Sequence, residues 1–165
     1  MIRKEHLGAS MARECDIAKH LFTKLGSAAM DYRPSPSQRS TIELLRYLSV
    51  CGIAGIRCMA DQDWQPFGKY ISQAETMTAE AFPEAMNRQK GEIEAFFASV
   101  TEDRLETQDA PLPGGGTLPL GLAILNGPFK WLAAYKLQLF LYAKANGATD
   151  IGTANVWAGI DWKQS

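Results

Sequence analysis

The stretch that most restricts what this chain can fold into runs from Asn126 to Gly147, NGPFKWLAAYKLQLFLYAKANG. Trp131, Tyr135, Gln138 and Tyr142 follow one another at steps of four, three and four, which places them on one face of a 3.6-residue period. Asn126-Gly127-Pro128 reads as the start, with Asn126 available as a cap and Pro128 in the first turn. Asn146-Gly147 after Lys144 reads as the stop. The remaining faces are apolar too, through Phe129, Leu132, Leu137, Leu139, Phe140 and Leu141, and only Lys130, Lys136 and Lys144 carry charge. A helix apolar nearly all round is buried on several sides, so the rest of the chain must supply its neighbours.

Three further helical segments can do so. From Glu5 to Ala29, Met11, Cys15, Ala18, Phe22, Leu25 and Ala29 form an amphipathic stripe. His20 points away from that stripe as a solvated side chain, with Asp16 one turn before it as a partner. The following MDYRPSPSQRST holds Pro34 and Pro36 and demands a long extended connection. Ser40 or Thr41 then caps a helix reaching Ala60, which buries Ile42, Leu45, Leu48 and Ile53. Its Gly52 and Gly55 suggest close approach by a neighbour, and its Tyr47 and Cys51 share a face with Leu44. DQDWQPFGKY reads as a loop whose Trp64, Phe67 and Tyr70 fold back over the bundle. The next helix covers Pro83–Val100, with Met86, Ile93, Phe96, Phe97 and Val100 inward.

DAPLPGGGT is a polar linker, and its three glycines suit a hairpin or turn. No GK[ST] follows them, which removes a phosphate loop. The tail ATDIGTANVWAGIDWKQS looks irregular, pinned to the bundle by Ile151, Val156, Trp157 and Ile160. The pattern therefore predicts an all-α four-helix bundle over residues 1–165 as a single domain. Its main helices are expected at Glu5–Ala29, Ser40–Ala60, Pro83–Val100 and Leu120–Ala145, with little or no strand. An apolar content of 46% over 165 residues suffices for one core. A net charge of −1 with scattered Lys and Arg predicts no nucleic-acid partner. The absence of a signal-like or membrane-length apolar run predicts a cytoplasmic protein with no membrane partner. Three cysteines in no metal-ligand spacing are expected to be reduced thiols.

Asp31-Tyr32-Arg33-Pro34 through Arg39-Ser40-Thr41-Ile42-Glu43-Leu44-Leu45 resembles the approach to the second helix in the DinB/YfiT-like superfamily. Trp131 through Gly147 is similar to that family's last helix, and NVWAGID to its ending. The resemblance implies a four-helix bundle, commonly dimeric, with a divalent metal held by one histidine of the second helix and two, four residues apart, of the last. Known relatives include metal-dependent thiol transferases and an isomerase that uses a low-molecular-weight thiol. Laid on this chain, the ligand positions are Tyr47, Trp131 and Tyr135, with Gln138 matching a glutamine that often follows the last ligand. None is histidine, and the two histidines of the chain, His6 and His20, lie in or before the first helix.

Phenol and indole are poor ligands for a divalent ion, so no metal and no cofactor are expected. The aromatics are first of all core, and Tyr47, Tyr135 and Gln138 are expected to share a small polar network. The functional expectation is a non-catalytic bundle in which Tyr47, Cys51, Trp131, Tyr135 and Gln138 surround a former metal site that takes a small apolar or aromatic ligand, or a partner. The alternative is a thiol-dependent transferase or isomerase, through Cys51 or through a metal on unrecognised ligands. The apolar excess of the last helix, together with the resemblance, predicts a homodimer.

Overall fold

The protein is described by a computed structural model over residues 3–162. In chain order its elements begin with α1 (Lys4–Phe22), α2 (Thr41–Leu48), α3 (Cys51–Ala60), α4 (Phe67–Ala74), α5 (Phe82–Ser99) and α6 (Glu102–Thr107). Strands β1 (Asp109–Pro111) and β2 (Thr117–Pro119) come next, then α7 (Leu120–Ile124), a π-helical turn at Leu125–Phe129, α8 (Lys130–Ala145) and α9 (Thr153–Ala158). The fold is all-α apart from the short hairpin. α1 packs between α5 and α8, while α2 and α3 pair with α8 and α5 on the far side. Going round the bundle the order is α1, α5, α2–α3, α7–α8, so the Pro34–Pro36 connection carries the chain across rather than to an adjacent position.

Three of the four expected helices are interrupted, each for a local reason. α1 stops at Phe22, not Ala29, because Gly26 turns extended (φ −79°, ψ 156°) and only a 3₁₀ turn, Ser27–Ala29, follows. Thr23 Oγ1 donates to the His20 carbonyl at 2.7 Å and closes the end. The expected Ser40–Ala60 helix breaks at Ser49–Val50, where Val50 leaves the helical region (φ −134°). The buried Gln89 of α5 joins the two pieces. Its Oε1 accepts from the N–H groups of Gly52 (2.9 Å) and Ile53 (3.2 Å), and its Nε2 donates to the Leu48 carbonyl (2.9 Å). One side chain thus serves backbone groups that the break would leave unpaired in the core.

In the last helix Pro128 lies inside, not in the first turn, and Asn126 is no cap; its Nδ2 donates to the Leu122 carbonyl at 2.9 Å. Proline has no N–H to give, and its ring crowds the carbonyl four residues back. The π turn absorbs that conflict without ending the helix. DQDWQPFGKY contributes the start of α4, the tail contains α9, and Pro83 falls in the first turn of α5. β1 and β2 form an antiparallel hairpin, Ala110 opposite Leu118, with Gly115 and Gly116 at φ +94° and +81° supplying the turn.

The glycines of α3 act as contact points. A Cβ on Gly55 would lie 2.5 Å from Cζ3 of Trp131 and 2.8 Å from Cγ of Pro128, and one on Gly52 would lie 2.9 Å from Cδ1 of Leu132. Removing the side chain on α3 is what lets bulky residues of the last helix seat directly on its backbone. Lys136, one of the three charges of the last helix, is an interior residue. It is 3% exposed and pairs with Glu14 of α1 at 2.7 Å. No helix among the described residues is long and apolar enough to cross a membrane.

Candidate functional site

α2 begins with a capping box: Glu43 N–H donates to Ser40 Oγ (3.4 Å) and Ser40 N–H to Glu43 Oε2 (2.8 Å). That cap sets the phase of α2 and aims Tyr47 at α8. There its ring meets Tyr135 edge to face, centroids 4.9 Å apart at 69°. Arg39, just before the cap, lays its guanidinium 4.0 Å from the centre of the Tyr47 ring and 5.5 Å from that of Tyr135. Burial, then the neighbouring Cys51 and Tyr135, pushes the Tyr47 phenol well above its ordinary value, so the hydroxyl stays protonated.

Trp131, one turn before Tyr135, covers Gly55 and meets Trp64 (6.2 Å) and Phe67 (6.1 Å), which pack on each other at 5.4 Å. Trp64 is held by its indole N–H, which donates to the Pro111 carbonyl of β1 at 2.9 Å. The hairpin thereby buttresses the aromatic cluster. Gln138 joins a different pair from the one expected. Its Nε2 donates to the Tyr142 hydroxyl at 2.6 Å, which donates to the Arg39 carbonyl at 2.8 Å. The polar chain therefore runs Gln138, Tyr142, Arg39, and Arg39 links it to the Tyr47–Tyr135 pair through its side chain.

Cys51 is fully buried, with Sγ directed at the Leu48 carbonyl (3.9 Å). Burial, and after it Cys15, pushes its thiol far up. Cys15 is raised to about 12, mainly by burial and then by Asp16, and Cys58 to about 11, by burial and then Asp63. A thiol held protonated in apolar surroundings is a poor nucleophile at neutral pH.

Of the five expected site residues, Tyr47 opens onto a cavity. The space, about 480 Å³, lies between α2 and α4 and is lined by Arg39, Glu43, Arg46, Tyr47, Ile71 and Glu75. Tyr135 packs against Tyr47, and Cys51 is fully buried. Sequence reasoning passed over Arg39 as a site residue. The available signal was its place one residue before the Ser40–Glu43 cap, but its seat on two tyrosine rings depends on α8 arriving from the other end of the chain.

The groups at the positions where the resemblance puts imidazoles do not suit a divalent ion: two phenols, one packed against the other, and an indole. Among the described residues no group of three or more His, Cys, Asp or Glu side chains is placed to hold a metal. The histidines lie elsewhere. His6 Nδ1 accepts from the Arg3 N–H at 3.2 Å. His20 is 17% exposed at its side chain and faces α9, not Asp16, which is taken by Lys19 (2.8 Å) and Lys90 (2.6 Å).

No protein-family model matches the sequence, and no curated protein matches it either. By shape the chain is similar to the crystal structure of a DinB-like protein, YjoA of Bacillus subtilis. The TM-score is 0.71 at 16% identity, over 89% of this chain and 96% of that one. The fold is therefore the DinB-like helical bundle.

Proposed function

We propose that the protein is a non-catalytic DinB-like bundle that binds a small apolar or aromatic molecule between α2 and α4. The observation that carries this reading is the cavity of about 480 Å³ with the Tyr47 ring in its wall. Its size falls within the range of small-molecule sites. The aromatic cluster behind it gives the wall rigidity, and the three buried, protonated thiols supply no nucleophile. A thermal-shift screen with phenol, indole and benzoate derivatives tests it, since a binder of the folded state raises the melting temperature. Expected is a concentration-dependent rise that Tyr47→Ala removes. No rise with any aromatic probe, or stoichiometric metal copurifying with the wild-type chain, would overturn it.

The partner is a second copy of this chain. Leu137 and Leu141, one turn apart on α8, are 46% and 54% exposed, and Leu122 and Leu125 continue outward exposure along the same helical arm. Exposed leucines repeated along one arm suit an isologous helix-to-helix contact. Light scattering at tens of micromolar should report twice the chain mass, and Leu137→Glu with Leu141→Glu should return it to one chain.

A further inference from the structure

The α2–α4 cavity sets two arginines and two glutamates around the Tyr47 and Ile71 side chains. The Arg39 guanidinium rests on the Tyr47 and Tyr135 rings, and among the described residues none of its N–H groups donates to a protein acceptor and no carboxylate pairs with it. Arg46, on the same cavity wall, donates from Nε to the Met77 carbonyl at 2.9 Å, and its two terminal amino groups have no protein acceptor among those residues. Guanidinium groups in a recess are ordinarily forked onto carboxylates or carbonyls, because each carries five donors in fixed directions. Two on one cavity, one of them half-buried and wholly without acceptors, leave donors free for something that enters.

The other charges on the wall leave room for a single negative group. Glu43 is already engaged: Arg33 holds it at 2.9 and 3.0 Å and Ser40 N–H donates to it. Its carboxyl accordingly lies below the ordinary range, chiefly through the Arg33 bond. Glu75 is exposed at the rim, where solvent screens it. The first-turn N–H groups of α2 are no rival source of attraction, since the Ser40–Glu43 box already takes part of them.

We infer that Arg39 and Arg46 form an anion-recognising end of this cavity and that its ligand is a small aromatic monocarboxylate. This rests on the binding reading above and names its ligand class. The planar carboxylate matches the guanidinium fork, and Ile71 offers the ring an apolar surface beside the Tyr47 ring that Arg39 covers.

The test compares benzoate with its uncharged isostere benzamide, by titration followed in protein NMR and by thermal shift, on wild type, Arg39→Met and Arg46→Gln. Circular dichroism checks that each variant is folded. Benzoate is expected to bind at least about tenfold more tightly than benzamide, the ratio one charge-assisted hydrogen bond supplies. Arg39→Met, which keeps a side chain over the rings, should erase that preference, and Arg46→Gln should reduce it. If Arg39→Met does not fold, the Arg46→Gln result and the wild-type benzoate-to-benzamide ratio decide alone. Equal affinity for the two probes, or competition by inorganic phosphate as effective as by benzoate, would overturn the inference while leaving aromatic binding intact. Failure of every aromatic probe, charged or not, would overturn both.

Discussion

The two long sides of α8 are held by different physics. Toward α2 and α3 the contacts are aromatic and depend on shape: Tyr135 on Tyr47, Trp131 in the gap made by Gly55, Trp64 and Phe67 closing over it. Toward α1 and α9 they are ionic and hydrogen-bonded. Lys136 meets Glu14 in the interior with the Trp157 ring 5.5 Å from its ammonium, and Lys144 Nζ donates to the Ile151 carbonyl at 2.9 Å. Further along that side, Asn155 and Asp161 of the tail hold His20 of α1 and Lys24 just after it. Apolar contacts lose stability in proportion to the area removed, whereas a buried charge stripped of its partner fails abruptly. One helix therefore carries a forgiving face and an unforgiving one.

The largest effect should come from the ionic side. Lys136→Met leaves Glu14 buried without its cation; its Oε2 already has no aligned hydrogen-bond donor, so the ammonium is what neutralises it. The expected loss is about 3–5 kcal/mol in urea unfolding. Glu14→Gln combined with Lys136→Met should recover a large part of it. Equal losses in the single and double variants would mean that packing, not charge, sets the cost.

Gly55→Ala probes the shape-dependent side by overfilling it. The new methyl would meet Trp131 and Pro128 inside contact distance, and the expected cost is about 1–3 kcal/mol. Adding Trp131→Leu should relieve much of that strain, measured as positive coupling in a double-mutant cycle. A smaller loss is expected from Tyr135→Leu, which keeps apolar bulk but removes the edge-to-face pair, a term of about 0.5–1.5 kcal/mol. High salt should leave that loss unchanged, and a salt-sensitive one would show that the Arg39 contact dominates the pair.

The least of the four is a pH effect confined to the ionic side. Burial lowers the His20 pKa, Asp161 partly offsets it and Lys24 adds to it. Asn155 Oδ1 accepts from the Gly152 N–H (2.8 Å), so its Nδ2 is free to donate to His20 Nε2 (3.1 Å), an arrangement that needs the neutral ring. A folded-state pKa below the unfolded 6.5 means that the unfolded chain binds the proton more readily. The contribution is complete above pH about 6.5 and is lost as pH falls through the lowered value. Melting curves from pH 7.5 to 5 should decline over that window, and His20→Gln should flatten the decline. An unchanged slope in the variant would remove His20 as its source.

Much of this was legible before any coordinates. The period of 3.6 located the helical segments, Gly52 and Gly55 marked the close approach, and the triple glycine marked the hairpin. The start of α2 was legible as a cap at Ser40 or Thr41, and the structure makes it Ser40, boxed with Glu43 three residues on. The tyrosine pair was partly legible, since Tyr47 and Tyr135 stand at positions that the resemblance draws together.

What lay beyond reach depends on partners distant in the chain. The break at Ser49–Val50 is stabilised by Gln89, 37 and 36 residues from the N–H groups it accepts. Nothing near Val50 declares that a glutamine will arrive to satisfy the exposed backbone. Pro128 looked like a helix start because locally it is a helix breaker, whereas in the fold it sits inside a π turn, seated over Gly55 of α3 with Met59 beside Gly127. Nothing beside Lys136 in sequence shows that its charge is buried, because its partner Glu14 arrives from α1. Local spacing and side-chain chemistry determined where the helices are and what each could bury. Long-range pairing decided which backbone groups, charges and rings found partners, because those free energies exist only once the bundle has closed.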